Sequence, residues 1–399
     1  MADGAAGGPD WAGRRARVAR DLLERMVAHV AAGGTTDRAD GPMRRPAATY
    51  VDEARFTAEM KALFGGRYPL VAGLSCDLPS PGDRMLFEDT GIPILIVRGV
   101  DGQVRAFLNA CPHRAARLVE TEPCPKGKLI TCPFHAWSFD LTGALVAQPG
   151  AGAFDDRPGL IPVPAAEWGG IIFVRPAPGE THIDVEGHLG AFAPELAQLE
   201  LAGAEPVKAG VLTADANWKY ALDTYGEGYH FGTLHASSIG QTHYTDVAVY
   251  DRFGPHHRVN FPDKGVAALI GRPPESWPAT AYGGVHFLFP NTVFFVGAIT
   301  PGKTFVQVFR LFPDAVDRMH TRFAVYAPAG VQDDAHRAEC EMAYDRTATV
   351  VTTEDYRVAS RATANLKSAP AGFALTFGAN EIALQNLHRA IDAALEAAP

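Results

Sequence analysis

Four residues constrain this chain more than any others. Cys111-Pro112-His113 is followed, after eighteen residues, by Cys132-Pro133-Phe134-His135, so one cysteine and one histidine recur in each of two short segments. At two loop tips these side chains bring soft thiolates and borderline imidazoles to one metal centre. A [2Fe–2S] cluster with two thiolates on one iron and two neutral imidazoles on the other needs this mixture, which raises its potential above that of all-cysteine clusters. Each imidazole keeps a second N–H for a neighbouring acceptor. Structural zinc also accepts two cysteines and two histidines, although its sites more usually pair like with like at close spacing. Trp137 and Ser138 follow the second histidine and are placed to cover or hydrogen-bond the cluster; Trp137 also suits a plain core position. Cys124 lies between the two halves with no histidine at the matching offset, and Cys76 and Cys340 have no metal-like neighbours, so these three read as ordinary thiols. Five cysteines in 399 residues are not a disulfide framework.

A second constellation lies about a hundred residues downstream. In the stretch from Asn217 to His235, His230 and His235 stand five apart, with acids at Asp223 and Glu227. Five residues of α-helix turn through roughly 140°, so both rings reach one metal only where the helix distorts or ends, and Gly232 permits that. Two histidines and a carboxylate on one face of an iron leave other positions open. The carboxylate must come from elsewhere, and Glu354-Asp355 is the candidate pair, with Asp355 favoured. Without a metal, His230 and His235 would be hydrogen-bonded core histidines.

The rest of the chain supplies a two-domain frame. Its length exceeds what one hydrophobic core usually fills. The composition, 47% hydrophobic and 20% charged, is that of a globular protein, and 30 Pro and 40 Gly promise many turns. A net charge of −9 without a long basic run excludes an electrostatic footprint for nucleic acid, and the absence of an apolar run of about 18 residues or of a signal peptide predicts a cytoplasmic protein with no membrane span. The first ten residues read as loose; helical spacing predicts a helix over Trp11–Ala32, a surface connection over Gly33–Pro46, and a helix over Val51–Phe64. Short apolar runs follow at Tyr68–Val71, Arg84–Phe87, Ile92–Arg98, Val104–Leu108, Lys128–Thr131, Ala144–Val146 and Gly170–Val174, with hairpin signals at Asp101-Gly102 and Thr142-Gly143. Beyond these, helices are expected near Leu189–Leu199, Trp218–Leu234, Gln332–Val358 and Ala379–Ala397, and strands at Val285–Phe289, Thr292–Val296, Phe305–Phe312 and Arg322–Ala327.

The ordered pair of motifs, Cys-x-His…Cys-x-x-His and then acid-x-x-His-x4-His, resembles the Rieske non-haem iron oxygenases, specifically the alpha subunits of the aromatic-ring-hydroxylating class. Trp218-Lys219, Tyr229-His230, Glu354-Asp355 and Asn380-Glu381…His388-Arg389 belong to the same likeness. The resemblance implies an α+β fold: an N-terminal helical segment (1–66) packed on the catalytic domain, a small all-β Rieske domain of two sheets (67–178), and a helix-grip catalytic domain with an antiparallel sheet (179–399). It implies a [2Fe–2S] cluster on Cys111, His113, Cys132 and His135, and Fe(II) on His230, His235 and Asp355. It also implies a homotrimer or a multiple of it, in which Glu227 links His230 to His135 of the adjacent subunit. Metal-bound imidazoles need such an acceptor. Asp223 stands where many relatives carry Asn near the iron, and Thr224 where they often carry an aromatic residue, which leaves the substrate class open.

No Gly-x-Gly-x-x-Gly follows a strand, so electrons would come ultimately from NAD(P)H through a separate reductase and/or ferredoxin. The other partners implied are O2 and a small molecule. Two of Phe287, Phe289, Phe294 and Phe295 are expected to line its pocket, which favours an aromatic or largely apolar substrate. His243, His256 and His257 read as solvated loop histidines or as a lid. Three alternatives stay open: a monooxygenase or oxidative N- or O-demethylase of a methylated or quaternary amine, a Rieske electron carrier without catalysis, and a zinc-stabilised binding protein.

Overall fold

Short apolar runs punctuated by turn residues give the chain between residues 70 and 174 its character. In the computed structural model, which describes residues 11–150, 154, 157–278, 282–330 and 333–398, the chain forms two compact units. One comprises Glu53–Leu189, Glu200–Pro206 and Ile391–Pro399; the other comprises Met1–Asp52, Gly190–Leu199 and Val207–Ala390. The expectation for the first ten residues lies outside the described part.

The first unit holds three small antiparallel sheets, one more than the resemblance implies. Arg84–Phe87, Ile94–Arg98, Val104–Leu108 and Pro162–Val163 form one; Leu129–Thr131, Ser138–Asp140 and Leu145–Ala147 form the second. Leu70–Leu74 pairs with Ile171–Val174 in a separate ladder, which accounts for the third. Both expected hairpins are present, with Gly102 at φ 79° and Gly143 at φ 87°, a conformation that glycine adopts without steric cost. Leu95, Val97, Phe107, Ile130, Trp137 and Phe139 form a core from which Cys111 and Cys132 are reached.

The second unit is built on a seven-stranded antiparallel sheet in the order Glu205–Ala214, Arg318–Ala327, Thr304–Ala315, Thr292–Ala298, Gly284–Leu288, His256–Asn260, Val249–Phe253. Phe309 stacks on Phe323 at 4.4 Å, Phe323 on Tyr344 at 4.7 Å, and Tyr225 packs on Phe309 at 5.0 Å, so aromatic rings join sheet to helices. The N-terminal helix, Trp11–Ala31, buries Leu23 and Val27 against Val266, Leu269 and Trp277.

Four expectations change. Gly33–Pro46 is not wholly a connection: Met43–Pro46 pairs with Ala374–Phe377, a partner too remote in sequence to be signalled locally. The helix starting at Trp218 ends at Asp223, because Gly226 and Gly228 lie where any Cβ would press on Leu384 (2.7 Å) and Phe261 (3.1 Å), and glycine does not sustain a helix. His256 and His257 lie buried on a strand rather than in a solvated loop, since their Gly-Pro neighbours form only the hairpin turn. Finally, the helix Asp334–Val350 does not stop near Val358; it passes through a π-helical turn, Val351–Asp355, into Tyr356–Lys367.

Candidate metal centres

His230 and His235 sit in the irregular turns that follow Trp218–Asp223, and Asp355 closes the π-helical turn. The turns bring the three side chains together: Asp355 Oδ1 lies 3.6 Å from His230 Nε2 and 3.3 Å from His235 Nε2, and the three ligand atoms fall within 4.8 Å of one another. Each ring is held from behind. His230 Nδ1 pairs with Glu227 Oε1 at 2.5 Å, and His235 Nδ1 with Glu354 Oε2 at 2.5 Å. With Nδ1–H donated to a carboxylate, each Nε2 keeps its lone pair for the centre. Asp355 Oδ1 and His230 Nε2 are buried with no hydrogen-bond partner among the described residues. Buried polar atoms are rarely left this way, so the set fits a cation. Burial presses the His235 pKa down, but Asp355 and then Glu354 outweigh it and the net direction is up, as expected where carboxylates favour positive charge. Two neutral imidazoles and one carboxylate match non-haem Fe(II).

Asp223 is not part of this group. Its carboxylate accepts from Tyr50 Oη at 2.7 Å and from His388 Nε2 at 3.0 Å, both buried. It also walls a small cavity with Tyr225, His257, Phe287 and Leu384, with room for about one water. Phe287 alone of the four strand phenylalanines lines that cavity; Phe289 and Phe294 are buried elsewhere in the unit. Glu354 and Ser238 escaped sequence reasoning as partners of His235, and so did Gly240. A Cβ on Gly240 would meet the backbone carbonyl of His235 at 2.9 Å and that of Phe231 closer still.

The other site repeats one loop design. Ala115 N–H donates to Cys111 O at 2.8 Å, and Ala136 N–H to Cys132 O at 3.0 Å. Both alanines adopt positive φ, 55° and 57°, an uncommon conformation for a residue with a Cβ. The duplicated turn brings His113 and His135 to a ring separation of 4.7 Å, and His113 stacks on Trp137 at 4.7 Å. Both cysteines are buried, and burial pushes the Cys111 thiol up, so its thiolate is disfavoured unless a bound metal offsets the charge. Among the described residues His135 Nδ1 is buried without a hydrogen-bond partner. Ser138 does not face the four ligands: its hydroxyl pairs with Thr131 Oγ1 at 2.9 Å and donates to Ala136 O at 3.2 Å. Cys124 packs on the edge of the same core, its thiol pushed up to about 11 by burial.

A mixed thiolate–imidazole site and a two-histidine, one-carboxylate site on one chain define a class with two kinds of iron centre. Residues 69–164 match the family described as the Rieske [2Fe-2S] domain, and residues 201–397 the ring hydroxylating alpha subunit (catalytic domain). The chain belongs to the Rieske non-haem iron oxygenases, with a [2Fe–2S] cluster and a non-haem iron as the family's cofactors. It is 34% identical over 217 residues to the carnitine monooxygenase oxygenase subunit of Escherichia coli K12, covering 52% of this chain and 54% of the relative. It is 31% identical over 193 residues to the glycine betaine monooxygenase oxygenase subunit of Pseudomonas aeruginosa, covering 48% and 44%. The match thus spans about half the length of these curated relatives. In fold it is similar to a solved quaternary ammonium Rieske monooxygenase, with a TM-score of 0.73 at 22% identity over 94% of this chain and 98% of that one.

Proposed function

We propose that this chain is the terminal oxygenase component of a multi-protein system that hydroxylates a small molecule with O2, using NAD(P)H electrons delivered by a separate reductase and/or ferredoxin. The convergence of His230, His235 and Asp355, each histidine backed by its own carboxylate, carries the reading. When bound, the cluster would supply single electrons and the iron would activate O2. Cys111, His113, Cys132 and His135 would hold the first; His230, His235 and Asp355 would hold the second. Glu227 fixes the His230 tautomer and stands beside the exposed Tyr229, its Oε2 held there by accepting from the backbone N–H groups of Tyr229 and His230. In a homotrimer it would accept from the ring N–H that a cluster-bound His135 of the adjacent subunit keeps.

Within this class a methylated or quaternary amine is the favoured substrate. Carnitine and glycine betaine, named for the two relatives, are both of that kind. Insertion of one oxygen next to nitrogen, with the second reduced to water by two electrons and two protons, would open a C–N bond. The test is a single turnover of chemically reduced, iron-loaded protein under 18O2 with trimethylammonium compounds and, separately, aromatic acids and hydrocarbons. One 18O in a product of an amine, or loss of a methyl or trimethylamine group, is expected. Two 18O atoms in an aromatic diol would move the substrate class to aromatics, and no product with both centres loaded would contradict the oxygenase reading for these classes.

A further inference from the structure

Three consecutive side chains, at the end of the π-helical turn and the start of the helix after it, are docked in three directions. Asp355 points at the two Nε2 atoms. Tyr356 hydrogen-bonds Thr321 Oγ1 at 2.6 Å and Tyr225 Oη at 3.0 Å, all in the interior of the sheet unit. Glu354 reaches the far edge of the His235 ring, and its Oε2 is fixed in turn by Ser238 Oγ at 2.9 Å. In an α-helix neighbouring residues diverge by about 100°, which would send two adjacent carboxylates away from a single ring. The widened turn lets both approach it, one at Nδ1 and one at Nε2, and π-bulges often occur at functional sites.

The segment bearing His235 is equally constrained. His235 O accepts from Ser238 N and from Gly240 N, both at 2.9 Å, so the chain curls back and brings the Ser238 hydroxyl beside Glu354. Through one oxygen atom Glu354 therefore ties its own segment to two residues of another, His235 and Ser238, which lie 119 and 116 residues before it. Among the described residues no other hydrogen bond is recorded at His235 Nδ1, so Glu354 selects which nitrogen of the buried ring faces Asp355.

We propose that Glu354, anchored by Ser238, is a positioning residue that orients His235 for the metal without binding it. The inference rests on the reading of His230, His235 and Asp355 as the iron site. Outer partners of this kind typically contribute 10–100-fold to metal affinity. A glutamine at 354 keeps a carbonyl oxygen for His235 Nδ1–H while its amide can still meet the Ser238 hydroxyl, so it should restore most of what alanine loses.

The test uses full-length protein with its cluster oxidised and EPR-silent. Affinity for Fe(II) and Co(II) is measured by competition with a chelator, and the Co(II) EPR spectrum reports ligand geometry. Glu354→Ala should weaken both metals by about 10–100-fold and alter the Co(II) spectrum. Glu354→Gln should recover most of the affinity, and Ser238→Ala should lose severalfold. Wild-type affinity and spectrum in Glu354→Ala would overturn the inference; should that variant not fold, the same result in Ser238→Ala would overturn it. Failure of the wild-type protein to take up either metal at this site would overturn the iron-site reading itself, and the inference with it.

Discussion

Tyr50 shows how one side chain keeps a charge where water cannot reach. It is fully buried, donates to Asp223 at 2.7 Å and meets His388 Nε2 at 3.1 Å. Burial, and then Asp223, push its own pKa well up, so it stays a donor. Replacing it with phenylalanine leaves the carboxylate short of a partner and should cost about 1–3 kcal/mol, or roughly 2–10 °C in Tm, while the cluster absorbance is unchanged; a melting curve checks this, and an unshifted one would contradict the network. At this scale the sequence was legible where residue type and spacing carry chemistry. The four cluster residues, His230, His235 and the Glu354-Asp355 pair are conspicuous because few structural roles put such groups together. Asp223 was read toward the iron because its partners, Tyr50 and His388, lie 173 and 165 residues away and leave no local trace.

At the scale of elements, the metal-bearing turns depend on close backbone approach. Gly240→Ala would set a Cβ against the carbonyl oxygens of Phe231 and His235, neither of which can move without moving the ligand. The variant should lose most of its mononuclear iron, and iron analysis against an intact cluster spectrum checks it. The strands His256–Asn260 and Gly284–Leu288 make a second, pH-dependent prediction. His257 is pushed down to about 3 by burial and then by His256, and His286 to about 3 by burial and then by Arg258. Both are neutral when folded and protonate near 6.5 when unfolded. Their contribution is therefore fully present above about pH 6.5 and is lost as the pH falls toward about 3, at ~1.4 kcal/mol per unit for each. The urea midpoint should drop between pH 7 and pH 5, and His286→Gln should flatten that drop; an equal slope in the variant would contradict it. Sequence pattern found most of the strands, because alternation is local. It missed the π-helical turn, and it missed the early end of the Trp218 helix, where Gly226 and Gly228 lie against Leu384 and Phe261, neighbours too remote in sequence to leave a local trace.

At the scale of the whole molecule, the two family matches fall in the order that the motifs give, first the cluster and then the iron. A net charge of −9 suits a protein that meets small molecules and protein partners, not polyanions. Among the described residues no helix is long and apolar enough to cross a membrane. The claim on which everything else rests is that one chain carries both centres. Its most direct test is iron and acid-labile sulfide analysis of anaerobically reconstituted protein, beside Asp355→Ala and Cys132→Ala variants. The account predicts three irons and two sulfides per chain, one iron fewer in the first variant with the sulfide retained, and loss of the sulfide in the second. Two irons in the wild type, unaltered by Asp355→Ala, would leave an electron carrier and contradict the account.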